Sequence, residues 1–333
     1  MNELTAVSIG GYGHIDSVFD DIAQTRQIRL IGLAPGYDGE DISGITNLEP
    51  AAGKQIYPNY RQMLDELKPN IVIIGTRLDH IGKIIIDASR AGCHIIAEKP
   101  LSLDIATLEN VRREVLSNNV NLTAMLTMRS KPHFIAAKEV YCSGDIGEAV
   151  LINARKSYKW GSRPEWFGDK SKYGGTIGWV GIHALDAINF ITGLEFTKVA
   201  AMQSNFAHPQ RPGCQDNCAV ILELSNGGHA TVSIDYFRPE NAKTHGDDWI
   251  RIVGTKGAIQ ASGVRNECSV ISNAKGAYQH PVASAKDRIY KKFITNIVEG
   301  VDNSSIRDVS FMLTKVCLLA DEASEKKMTL GVE

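Results

Sequence analysis

A chain of 333 residues is too long for one small core and suits two domains. With 36 Lys and Arg against 38 Asp and Glu, its net charge of -2 gives no electrostatic basis for binding nucleic acid or an anionic membrane, which favours a small-molecule ligand. The start MNELTAVSIGG has no basic segment ahead of a signal core, and no apolar run approaches membrane-spanning length, so a soluble cytoplasmic protein is expected.

Residues 5–10 form a β-rich run, and Gly11, Tyr12, Gly13, His14 and Ile15 lead from it into a helix over Ile15–Ala23. Strand, Gly-x-Gly turn and helix make the dinucleotide-binding arrangement: Gly11 permits the tight turn, and Gly13 lets a pyrophosphate approach the backbone where His14 and Ile15 open the helix. Asp16 stands where the full fingerprint has a third Gly or Ala. Facing a pyrophosphate at about 5 Å, its carboxylate would cost on the order of 3 kcal/mol at an effective dielectric near 20. Pointing outward it is a favourable first-turn acid, and that orientation is expected.

The second strand, Ile28–Ala34, ends at Pro35-Gly36 instead of at the acid that would bind an adenine ribose, leaving Asp38, Glu40 or Asp41 to reach back. No Lys or Arg occurs between Arg29 and Lys54, so a ribose 2′-phosphate finds no cation there, which favours NAD over NADP. Tyr60–Leu67 reads as a helix, Ile71–Ile74 as an apolar strand, and residues 81–90 as the next helix. Thr76, Arg77 and His80, in the loop between, would line a cofactor cleft, unless His80 is merely a helix-start residue.

Residues 93–97 form a short buried strand between Gly92 and Pro100, which puts Glu98 and Lys99 at its carboxyl end. Open α/β sheets bind ligands at that edge, and low-dielectric surroundings can shift Lys99 toward proton exchange near neutral pH. The alternative is an ordinary solvated pair. Pro100 limits Lys99 to extended backbone and allows a cis peptide. A helix over 104–116 and a strand over 122–126 complete a strand-helix alternation, which means a parallel, doubly wound sheet in a dinucleotide-binding domain of residues 1–128.

Beyond Arg129 the pattern changes. A helix over 133–141 is followed by strands over 148–158, 198–205, 218–224, 229–236, 249–253 and 258–260, with a hairpin at Asn226-Gly227-Gly228. These favour a large, mainly antiparallel sheet in a C-terminal α+β domain of residues 129–333, closed by helices over 285–299 and 309–325. Six scattered cysteines are too sparse for a disulfide framework. Cys214 and Cys218, near His208 and His229, match no short zinc spacing, so no metal is expected.

Residues 155–173, RKSYKWGSRPEWFGDKSKY, are dense in cations and aromatics, and with Trp179 they hold three of the four Trp residues. Tyr158, Trp160 and Arg163 offer flat faces and forked donors suited to a polyhydroxylated substrate; an oligomer contact would use the same residue types. A helix over 176–191 carries Trp179, His183 and Asp186 at spacings that share one face. His183, with a carboxylate one turn away, reads as an oriented acid or base, or as a structural hydrogen-bonding residue.

With these residues in view, the chain resembles the glucose-fructose oxidoreductase, inositol dehydrogenase and rhizopine-catabolism family (Gfo/Idh/MocA) over nearly its whole length. The resemblance is most specific in AGCHIIAEKPLSLD, supported by Gly11-x-Gly13, by Thr76 and His80, and by GGTIGWVGIHALD. It implies a Rossmann domain in which Lys99 contacts both nicotinamide and the reacting hydroxyl and Glu98 helps hold the cofactor, while His183 assists proton transfer. It also implies that the C-terminal sheet builds the substrate pocket and the interface of a homodimer or homotetramer. Polyol-oxidising members carry an Asp four residues before the His. Here that position is Trp179, so His183 would be oriented by other groups, such as Asp186.

The implied reaction moves a hydride between a nicotinamide and a carbinol carbon of a sugar, cyclitol or related polyhydroxylated compound, with Lys99 as base or as donor to a developing alkoxide. Two other readings stay open at this level. One is a nicotinamide-binding sensor or scaffold without turnover, suggested by Asp16, Pro35 and Trp179. The other is a glycosidase or lyase that oxidises its sugar transiently with bound NAD.

Overall fold

Short apolar runs set between Gly, Pro and Asn become the strands of the first sheet. In the computed structural model, which describes residues 3–283 and 289–332, these are β1 (Leu4–Ile9), β2 (Ile28–Ala34), β3 (Gln55–Ile56), β4 (Ile71–Ile74), β5 (His94–Ala97) and β6 (Leu122–Ala124). All pair in parallel in the order β3-β2-β1-β4-β5-β6, and β4 is buried throughout, as its unbroken Ile-Val-Ile-Ile run requires. The register sets Ile9 beside Ala34 and Ile74, and Ile74 beside Ala97. The chain therefore leaves four neighbouring strands along one carboxyl edge, with the strand order reversing between β1 and β4.

Capping residues fix two of the intervening helices: Asn59 accepts from the Arg61 N–H at 2.8 Å, and Asp104 from the Thr107 N–H at 2.7 Å. The helix expected from residue 81 begins earlier, spanning Leu78–Arg90, because the Leu78 side chain is fully buried. Asp79 and His80 thus fall in its first turn.

Ile15, Val18, Phe19 and Ile22 pack with Leu30, Ile71 and Ile96, and with Tyr290, Phe293 and Ile294 of a late helix, Ile289–Glu299. Residues 289–314 consequently belong to the first compact unit, whose earlier part ends at Leu126, and the second unit runs from Thr127 and resumes at Lys315. A single cut after residue 128 misses this return of the chain. The beginning of the helix expected over 285–299 lies outside the described residues. Asp21, buried on the first helix, accepts from the Tyr290 and Lys291 N–H groups at 3.1 and 3.4 Å and so caps the late helix.

The second unit is built on β7 (Ala149–Tyr158), β8 (Phe196–Ser204), β9 (Asn217–Leu224), β10 (His229–Asp235), β11 (Gly246–Gly254), β12 (Gly257–Ser262), β13 (Glu267–Ser272), β14 (Gly276–His280) and β15 (Leu330–Gly331). They lie in the order β14-β13-β12-β11-β7-β10-β9-β8-β15, antiparallel apart from the β7–β10 pair. Alternation in β9 and β10 buries Val220, Leu222, Ala230 and Val232 on one face, against which helices pack. The last three strands escaped the sequence reading because each is short or half polar.

The expected single helix over 176–191 is wound as a π-helix over Ile177–Gly181 and as an α-helix only over Ile182–Thr192. A Cβ at Gly181 would lie 2.6 Å from Ile234 Cδ1, so this winding brings the helix backbone against β10. Trp179 sits in the π segment, and the α-helical spacing linking it to His183 and Asp186 does not carry across the join.

Removing the Asp21 carboxylate leaves the first N–H groups of the late helix without their cap. Asp21→Ala is expected to lower unfolding stability by about 1–2 kcal/mol in urea titrations, with the midpoint falling and the slope unchanged. A variant as stable as the wild type would remove this cap from the account of why residues 289–314 join the first unit.

Candidate functional site

Backbone hydrogen bonds lace the carboxyl edge of the first sheet together. The Gly10 N–H donates to Ala34 O, Gly75 N–H to Ile9 O, Tyr12 N–H to Gly75 O and Glu98 N–H to Ile74 O, all at 2.7–2.9 Å. Gly10, at φ +84°, has room for no side chain, since a Cβ would lie 2.3 Å from Gly75 O. The tight turn after β1 is thus set directly against the end of β4.

Glu98, fully buried at the end of β5, reaches under this turn. One carboxylate oxygen accepts from the His14 N–H at 2.7 Å and pairs with His14 Nδ1, and the other accepts from the Lys99 N–H at 2.7 Å. Gly13, at φ +94°, supplies the space, because a Cβ there would fall 2.2 Å from Glu98 Oε1. Burial acts to raise the Glu98 pKa, but the charges of His14 and Lys99 and the hydrogen bonds outweigh it and hold the carboxyl below its usual value. Lys99 itself is buried, and its bond to Pro100 is cis. The solvated-pair reading of Glu98 and Lys99 is excluded. Asp16 is exposed and accepts from the Ser17 N–H at 2.8 Å, as a first-turn acid should.

No acid stands at the end of β2, but one farther along the loop returns to the sheet. Glu40 turns back so that its carboxylate accepts from the Gly36 N–H at 2.6 Å and the Thr76 hydroxyl at 2.7 Å, with a further bond from the Gly11 backbone. Burial holds its carboxyl above the ordinary value despite these donors. Next to it Tyr37 stacks on His80, with ring centroids 4.9 Å apart, and the Arg77 guanidinium lies 4.4 Å from the Tyr37 ring centre. Arg77 is held by both Asp79 oxygens, at 2.7 and 2.9 Å, and donates to His80 Nε2 at 2.8 Å. Burial lowers the His80 pKa and raises that of Tyr37. A cleft of about 210 Å³ opens here, lined by Pro35, Tyr37, Asp38, Tyr60, His80 and Lys83 among others. Sequence reasoning named His80 and Thr76 for this edge and offered Glu40 as one of three acids, but it missed Tyr37, Tyr60 and Lys83.

In the second unit, the cationic and aromatic window packs largely on itself. Trp160 stacks on His208 at 3.6 Å between centroids, and His208 Nδ1 is 2.8 Å from Asp216 Oδ2. The Arg163 guanidinium lies 4.4 Å from the centre of Tyr236, and Trp160 meets the same ring edge-on. Tyr158 lies beside His245 and near the buried Lys156 ammonium, which pairs with Asp248 at 2.5 Å. Trp179 is buried edge-on against Phe167, itself stacked on Tyr173. Asp186 is fully buried and bonded to Arg129 at 2.7 Å; burial pushes its pKa up against that cation. Its Oδ1 is therefore engaged by Arg129. His183 is buried one turn earlier. Lys156 went unremarked, although its parity with the inward Ile152 and Ala154 in β7 marks it.

Comparison with known proteins bears on both units. A family model described as the oxidoreductase family with an NAD-binding Rossmann fold matches residues 37–125, and one described as the GFO/IDH/MocA C-terminal domain matches 134–260. The first match begins beyond the glycine turn and Pro35, where this chain departs from the usual pattern. A solved Thermotoga maritima structure described as an oxidoreductase is 32% identical, with TM-score 0.93, covering 98% of this chain and 100% of that one. The inositol 2-dehydrogenase of Rhizobium meliloti is 26% identical over 69% of this chain and 68% of its own length. The myo-inositol 2-dehydrogenase of Thermotoga maritima is 22% identical over 83% and 82%.

Because Glu98 occupies the volume beside Gly13, Gly13→Ala must displace a buried carboxylate and strain the backbone as well. A loss of at least about 2 kcal/mol is expected in denaturant unfolding. A change below about 0.5 kcal/mol would mean that Glu98 moves aside at no cost.

Proposed function

Because this chain belongs to the Gfo/Idh/MocA family of oxidoreductases, whose first domain is an NAD-binding Rossmann fold, we propose that it transfers a hydride between NAD and a carbinol carbon of a sugar or cyclitol. The observation that carries this reading is Lys99, delivered by β5 to the sheet's carboxyl edge beside a carboxylate anchored in the glycine turn. The first unit has the dinucleotide role and the second the substrate role.

The residues fit the cofactor. In the turn from Gly10 to Gly13 only Tyr12 carries a side chain, Thr76 lies against Gly10, and the cleft next to Tyr37 and His80, beside Arg77, offers an aromatic wall for an adenine. NAD bound there supplies the hydride acceptor or donor. Glu98 fixes the turn and holds the backbone of Lys99, while the Lys99 amine serves as the base for the hydroxyl proton or as the donor that stabilises a developing alkoxide. Its burial lets it act in a low dielectric. His183 is the second proton-transfer group.

Tyr158, Trp160 and Arg163 are the substrate-side candidates of the second unit. Trp179 and Asp186 support the helix that carries His183, since the ring contact of one and the ion pair of the other are made inside that unit. Two relatives that are inositol 2-dehydrogenases make cyclitols the first substrates to try. On any polyol that the wild type oxidises with formation of NADH, Lys99→Ala is expected to lower kcat by about 10²- to 10⁴-fold. Near-normal turnover would remove Lys99 from the chemistry.

The outer face of the second sheet supports assembly into a homodimer or homotetramer. Ile221 is 57% exposed, Met202 80% and Ile271 58%, whereas a sheet face meeting only water is ordinarily polar. Six free cysteines, five of them buried, fit a reducing cytoplasm, and among the described residues no helix is long and apolar enough to cross a membrane. In light-scattering measurements the wild type is expected at two or four chain masses, and Met202→Lys with Ile221→Lys is expected to shift it toward one. A wild type that already runs as one chain would refute the interface.

A further inference from the structure

Nothing at the end of β2 supplies the acid that holds an adenosine ribose, since Ala34 is followed by Pro35 and Gly36. Three acids follow in the loop, and they are not equivalent. Asp38 is exposed on the cleft's rim. Asp41 is exposed and spends one oxygen on the Ser43 N–H at 2.8 Å. Glu40 alone returns to the sheet, where donors from the ends of three adjacent strands converge on it: the Gly11 backbone after β1, the Gly36 N–H after β2 and the Thr76 hydroxyl after β4.

We propose that Glu40 is the residue by which this protein selects NAD over NADP. The inference rests on the nicotinamide reading given above and deepens it. A carboxylate has about four lone-pair sites, so three protein donors fix its position and still leave capacity for a ribose hydroxyl. The same fixed negative charge repels a phosphate on that ribose. Two of the nearby cations are engaged by other carboxylates: Arg77, whose charge also acts on Glu40, is held by Asp79, and Arg61 by Asp87 at 2.6 Å. Lys83 lies on the exposed rim of the cleft. The backbone that supplies these donors is closely packed. Gly36 lies so close that a Cβ on it would stand 2.6 Å from the Thr76 hydroxyl, and a Cβ on Gly11 would stand 3.0 Å from the Ile42 Cα. Three converging donors thus hold the acid at the strand ends as a preorganised acceptor.

The test is equilibrium titration of NADH and NADPH, followed by nicotinamide fluorescence, on the wild type, Glu40→Gln, Glu40→Ala, Asp38→Asn and Asp41→Asn. The wild type is expected to prefer NADH. Both Glu40 variants are expected to lose about tenfold to a hundredfold of that preference, the effect of one hydrogen bond to a charged group, while the two Asp variants retain it. Thermal melts on the same samples show whether each variant is folded, and the isosteric Glu40→Gln decides the matter if Glu40→Ala is not. An unchanged NADH-to-NADPH preference in folded Glu40→Gln, or a loss of preference in Asp38→Asn or Asp41→Asn instead, overturns the assignment and leaves the nicotinamide reading standing. A wild type that binds neither dinucleotide overturns both.

Discussion

One buried carboxylate organises the chemical edge of the first unit. Glu98 is fully shielded from water, and such a group is tolerable only when its charge is matched and its lone pairs are used. It meets both conditions by gathering the His14 N–H and ring and the Lys99 N–H, and so it ties the glycine turn after β1 to the end of β5 across the strand between them. The absent side chain of Gly13 is the other half of the arrangement, because the carboxylate fills the volume it leaves. The glycine here serves the protein's own acid as much as any ligand.

Around that anchor the same edge is assembled from parts far apart in sequence. Thr76 gives its hydroxyl to Glu40, and Tyr37 stacks on His80 while the Arg77 guanidinium contacts both rings. The departures at Asp16 and Pro35 lose their force as arguments against a dinucleotide. Asp16 is turned to its neighbour's N–H on the exposed side of its helix, and Glu40, from the loop after β2, turns its carboxylate back to the Gly36 N–H.

The second unit treats its aromatic and cationic window differently from what composition alone suggests. Trp179, Phe167 and Tyr173 are consumed in a buried cluster, and Trp160 is covered on one side by His208, which Asp216 holds in place. Rings in such contacts are held rigid and serve as walls. The π-helical turn carrying Trp179 sits just ahead of His183 and changes the winding of the helix there.

The strands β1, β2, β4 and β5, the helix Tyr60–Leu67 and the motif Glu98-Lys99-Pro100 were legible from residue order, because each is defined by contacts or dihedral preferences spanning a few neighbours. A run such as Ile71–Ile74 is apolar on both faces wherever it sits, and that suffices to bury it. What tertiary structure alone decided is where irregular segments land. No periodicity says that Glu40, and not Asp38 or Asp41, folds back to Gly36 and Thr76, that Asp186 pairs with Arg129, or that residues 289–314 return to the first unit behind Asp21. Those outcomes depend on which donors and cavities distant strands have already placed within reach, and a loop's own residues carry no record of them.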